Sequence, residues 1–104
     1  MEFNFDTDEA AKLLSLAGNE ARLQVLELIC EQEWDVGSLA KEINLSQSAL
    51  SQHLKKLRDG KLVTTRRDAQ TVYYSCKSTA VAALLAALHE IHNSRTTKPA
   101  ARRA

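Results

Sequence analysis

Acidic side chains nearly disappear from the second half of this 104-residue chain. Residues 47–104 carry three of them, Asp59, Asp68 and Glu90, against eleven lysines and arginines, whereas residues 1–46 carry ten against three. A net charge of +1 thus conceals balances of −7 and +8. Cysteine is scarce too: Cys30 and Cys76 form no CxxC pair, which excludes a disulfide framework and a zinc finger. No apolar run approaches the roughly 18 residues that a membrane span requires. The start, Met1-Glu2-Phe3-Asn4-Phe5-Asp6, is acidic and has neither the basic opening nor the apolar stretch of a secretory leader. A cytoplasmic protein without a membrane partner is expected. Internal repeats are absent, and so is a Gly-x-Ser-x-Gly elbow or any other spacing that prepares a nucleophile. His53 follows Ser51 and Gln52, but neighbours one and two positions apart diverge on a helix. An enzyme is not expected.

What is present reads as one domain over 1–94, followed by a basic, flexible tail over 95–104, "RTTKPAARRA". Asp8 to Ala17 has helical spacing, with Asp6, Thr7 or Asp8 available as its cap. After Gly18-Asn19 a second helix, "EARLQVLELICEQ", places Leu23, Leu26, Ile29 and Cys30 on one side. "DVGSLAKEI" makes a short third helix, and "NLS" interrupts for three residues. The fourth helix runs from Gln47 to Asp59, with Ser46 as N-cap and Gly60 as the stop. "LVTTRR" and "TVYYS", rich in Thr, Val and Tyr and joined by "DAQ", make a β-hairpin of open turn type. "STAVAALLAALHEIHN" closes the domain as a fifth helix. Two short helices around a three-residue turn, then a hairpin, define an α+β, mostly α, winged helix-turn-helix. The last helix is too apolar for an exposed terminal element. Val81, Leu84, Leu85, Leu88 and Ile91, together with Leu14 of the first helix, are the expected interface of a homodimer. Trp34, in the loop before the third helix, is read as a packing residue.

The scarcity of acid matters most in "LSQSALSQHLKKL", residues 45–57. At 100° per residue Leu50, Leu54 and Leu57 form one narrow inward stripe, opposite Ser48, Ser51, Gln52 and Lys55, with Gln47 in the first turn. Such side chains suit base edges in a major groove: Gln engages adenine, Ser donates or accepts, and Lys reaches guanine or phosphate. The free N–H groups at the helix start, near Ser46 and Gln47, favour a phosphate. His53 shares the helix and is counted with the DNA-facing set. Arg66, Arg67, Gln70 and Thr71 flank the hairpin tip, where Arg suits a narrow minor groove and the smaller polar groups suit phosphate oxygens. The expected partner is double-stranded DNA, and the expected function is sequence-specific transcriptional regulation.

"LSQSALSQHLKKLRDGKLVTTRRDAQTVYYS" resembles the DNA-reading segment of ArsR/SmtB-type winged-helix repressors, in particular their nodulation-regulator branch, and the likeness extends from about Ala11 to Ile91. The resemblance implies a homodimer that binds an imperfect inverted repeat in promoters and represses. It implies base contacts by Gln47, Ser48, Ser51 and Gln52, and a wing bearing Arg66, Arg67 and Gln70. Recognition helices of such a dimer sit about 34 Å apart, one DNA turn. Where the family binds metal through Cys-x-Cys at the start of the third helix, this chain has Asp35-Val36-Gly37. At the family's other metal site it has Lys77, Thr79, Glu90 and Asn93; only a one-residue shift supplies Cys76, Ser78, His89 and His92. No metal or other cofactor is expected. Persulfide-sensing relatives pair a cysteine of the second helix with one of the last. Here Cys30 falls about a turn later and the last helix has none, so Cys76 would be its only partner in the chain. A thiol- or metal-responsive repressor, and a protein-interaction module on the same scaffold, are the alternatives.

Overall fold

The computed structural model describes residues 2–95. Five helices, α1 (Thr7–Ala17), α2 (Glu20–Glu31), α3 (Val36–Ile43), α4 (Gln47–Asp59) and α5 (Thr79–Arg95), combine with strands β1 (Trp34–Asp35), β2 (Thr64–Asp68) and β3 (Thr71–Ser75). This is the expected winged-helix order, with β1 added. Of the tail expected over 95–104, all but Arg95, the last residue of α5, lies outside the described residues.

Each of the first four helices starts on a side-chain oxygen that satisfies otherwise unpaired N–H groups. Asp6 accepts from Asp8 and Glu9, Asn19 from Arg22, Asp35 from Ser38, and Ser46 from Ala49. The three-residue turn between α3 and α4 works because Asn44 takes the left-handed conformation (φ 60°). The Leu45 N–H then returns to Ala40 O, closing the end of α3 one residue before the Ser46 cap. α4 ends by the same device, with Leu62 N–H on Leu57 O, but the left-handed residue is Lys61 (φ 63°) rather than Gly60. Gly60, at φ −82°, is needed for room: a Cβ there would collide with the Leu16 side chain of α1.

Val25, Leu26 and Ile29 of α2 lie at the centre of the core, surrounded by Leu39, Leu50, Leu54, Leu57, Val63, Cys76 and Val81. The three inward leucines of α4 are among the most buried residues of the chain, which fixes its opposite face outward.

The sheet order is β1-β3-β2, antiparallel throughout. Trp34, read from sequence as a loop residue, pairs with Tyr74 in β1, and its indole N–H donates to Leu28 O at 3.2 Å. Two residues of strand carry no period of their own, so only the partner strand defines them. Cys76 N–H bonds to Ile29 O and ties the end of the hairpin to the end of α2. Register puts Asp68 opposite Thr71, leaving Ala69 and Gln70 as a two-residue turn with Ala69 at φ 60°. None of the described helices is long and apolar enough to cross a membrane.

Candidate nucleic-acid interface

With its leucines fixed inward, α4 presents Gln47, Ser48, Ser51, Gln52 and Lys55 to solvent. Its first turn lacks acid and its last turn carries Lys56 and Arg58. Ser46 has a defined structural duty, since its hydroxyl caps the helix at 3.1 Å from Ala49 N. Lys55 pairs along the helix with Asp59 at 2.9 Å, and both side chains are well exposed, so the pair is weak.

His53 occupies the edge of this face and is half-buried. Arg22 of α2 holds it: the guanidinium donates to Leu16 O at 2.6 Å, at the end of α1, and approaches His53 Nδ1 at 3.2 Å. Because arginine only donates, Nδ1 accepts, and the imidazole proton resides on Nε2. Burial, then the charges of Arg22 and Lys56, hold the His53 pKa below its ordinary value. The contact connects α1, α2 and α4, and nothing in the local sequence announces it.

The wing divides its polar residues. Arg67, Gln70 and Thr71 are exposed, and Arg67 has no side-chain partner among the described residues. Arg66 is engaged: it grips Glu33 through Nε and Nη2 and covers the Tyr73 ring. This bond holds the Glu33 carboxyl below its usual range. The Thr64 hydroxyl lies 3.1 Å from that of Ser75, across the hairpin.

The residues expected to form a dimer face fall into two groups. Leu14, Leu88 and Ile91 are 57%, 39% and 54% exposed, and Leu84 and Leu85 are half-buried against the core. Val81 is fully enclosed by its own chain and is unavailable to a partner. Phe3 and Phe5, which periodicity could not single out, add exposed aromatic surface before α1.

Cys30 and Cys76 are neighbours at the α2–β3 junction, with no disulfide between them. Burial, reinforced by the Cys76 side chain, pushes the Cys30 thiol up to about 12. At neutral pH it stays protonated and is a poor nucleophile. His89 Nε2 is 2.9 Å from Asn93 Nδ2, and the Ser78 hydroxyl accepts from Val81 N, at the start of α5. Among the described residues no group of three His, Cys, Asp or Glu could hold a metal ion.

Residues 19–65, from the cap of α2 to the start of β2, match the family model described as "Bacterial regulatory protein, arsR family". The nodulation protein NolR of Rhizobium meliloti is 52% identical over 91 residues, covering 88% of this chain and 75% of that protein. The transcriptional activator HlyU of Vibrio cholerae is 45% identical, covering 88% and 84%. The crystal structure of NolR from Sinorhizobium fredii superposes with a TM-score of 0.79 at 48% identity, over 88% of this chain and 96% of that one. The chain belongs to the ArsR family: it is a winged-helix, DNA-binding transcriptional regulator and not an enzyme.

Proposed function

We propose that the protein is a cytoplasmic homodimeric repressor that binds an imperfect inverted repeat in promoters and works without a bound inducer. The observation that carries the DNA-reading part is the outward face of α4, where five polar or basic side chains stand opposite three fully buried leucines. Gln47, Ser48, Ser51 and Gln52 read base edges, Lys55 exchanges Asp59 for a phosphate, and Arg67, Gln70 and Thr71 engage the backbone and minor groove from the wing. Exposed Leu14, Leu88 and Ile91 support the dimer, because a domain this small gains stability by covering them. Two-fold symmetry then dictates a palindromic site with half-sites one turn apart. Occupying a promoter over that length excludes polymerase, which favours repression. The activator name of the HlyU relative makes activation the second outcome to be tested.

The absence of a three-ligand cluster among the described residues, and a Cys30 thiol that stays protonated, both favour DNA binding independent of metal and oxidant. The test is binding to duplexes recovered by selection from random DNA, across a salt series, with the protein reduced, oxidised and zinc-treated. The expected result is steep salt dependence that none of these treatments changes. Release only on oxidation would move Cys30 and Cys76 to the centre of the mechanism. Release only with zinc would do the same for His89 and His92. Transcription from a promoter carrying the selected site then separates repression from activation.

A further inference from the structure

Arg66 spans the whole sheet. It leaves β2 on one edge and passes over Tyr73 of the middle strand, with its guanidinium carbon 4.7 Å from the ring centroid. It ends on Glu33, just before β1 on the other edge. There Nε donates to Oε2 at 3.0 Å and Nη2 to Oε1 at 2.8 Å. The residues beneath are in register, with Arg66 opposite Tyr73 and Tyr73 opposite Asp35. A planar fork on a carboxylate, stacked on a ring, is a use of arginine that lysine cannot reproduce. The neighbouring Arg67 is exposed and without a side-chain partner among the described residues.

We propose that Arg66 is a wing-positioning residue: the Glu33–Arg66–Tyr73 strap sets the angle of the hairpin against the body and stays closed on DNA, leaving Arg67 as the wing's cation for the nucleic acid. The second clause rests on the DNA-binding reading; the first does not. The base of the wing is anchored by Val63, Tyr74 and Cys76 against the core, by the two-residue strand β1 and by the Cys76–Ile29 backbone bond, and the strap adds the one side-chain ion pair between hairpin and body among the described residues. A two-stranded ribbon is only marginally stable alone, so a modest tether decides where it points.

The alternative is that Arg66 waits for a phosphate and Glu33 merely competes, and it makes opposite predictions. The test compares the full chain with Glu33→Gln, Arg66→Lys, Arg66→Ala and Arg67→Ala, titrated against one selected duplex over a salt series. With the strap, Glu33→Gln and both Arg66 variants each weaken binding about two- to fivefold and leave the salt slope unchanged. Arg67→Ala flattens that slope by about one. In the absence of DNA, Glu33→Gln and Arg66→Lys speed amide exchange in β2 and β3. Tighter binding by Glu33→Gln overturns the proposal, and so does a slope reduced by Arg66→Ala but kept by Arg66→Lys. Unchanged amide exchange overturns it whatever the DNA arm shows. A wild-type protein that binds no duplex sinks the DNA-binding reading instead, and with it the role given to Arg67.

Discussion

The two longest helices, α4 and α5, use their leucines in opposite ways. α4 buries Leu50, Leu54 and Leu57 in its own chain and offers solvent serine, glutamine and lysine. α5 buries only Val81 completely and leaves Leu88 and Ile91 exposed among alanines. A helix that has spent its apolar side chains within the fold shows its partner hydrogen-bonding groups, as a nucleic acid requires. A helix that has not done so shows an apolar face, which a second copy of the chain can cover.

Three variants and a titration sharpen this contrast. The largest effect belongs to Leu54→Ala in the α4 stripe, which should lower unfolding free energy by about 2–5 kcal/mol in urea denaturation; a loss under 1 kcal/mol would mean that the stripe is not the anchor of the helix. Next comes the double variant Leu88→Lys with Ile91→Lys. It should fold, sediment as a monomer, and lose operator affinity by about a hundredfold or more, because the second half-site no longer binds in the same event. A dimer with unchanged affinity would remove α5 from the interface. Ala69→Gly should stabilise the protein by about 0.5–1 kcal/mol in thermal melts, since glycine takes the left-handed turn without a Cβ penalty. A lowered melting temperature would show that the methyl group itself contributes packing.

The smallest effect is a pH dependence from His53. Its pKa is lowered in the folded protein by burial and by Arg22 and Lys56, so the unfolded chain takes up the proton first as the solution is acidified. Stability present at neutral pH is therefore lost as pH falls below about 6.5 and through the folded value. Glu33, Asp35 and Asp59 have carboxyls held below their ordinary values, so their contributions fade only in more acidic solution. Melting temperatures from pH 7.5 to 5 should fall for the wild type and flatten for His53→Gln; parallel curves would exclude His53 as the titrating group.

Local chemistry was readable along the chain, and tertiary pairing was not. Ser46 as cap and three leucines at helical spacing defined the course of α4, because each acts within a turn or two of itself. Gly60 marked the end, but the left-handed residue is Lys61, and the room that Gly60 leaves for Leu16 of α1 has no local signal. The hairpin was legible from its Thr, Val and Tyr content, but β1 was not, because two residues become a strand only against Tyr73 and Tyr74. Spacing placed Val81 with Leu84 and Leu88 on one face; packing within the core of its own chain then enclosed Val81 and left Leu88 out. In the candidate site the residue types on α4 were legible from composition. The partners of Arg66 and of His53, which are 33 and 31 positions away in sequence, were not. Proximity of Cys30 and Cys76 likewise depends on β3 returning to the end of α2.

Binding of wild-type protein and Gln52→Ala to a selected operator, and to its full set of single-base variants at fixed salt, tests the central claim most directly. If the exposed face of α4 reads base edges, the wild type discriminates at symmetric positions in the two half-sites. Gln52→Ala then loses about 1–3 kcal/mol of that discrimination at one position per half-site and keeps the rest. Uniform weakening across the whole set, with discrimination intact everywhere, would contradict it and reduce α4 to a phosphate contact.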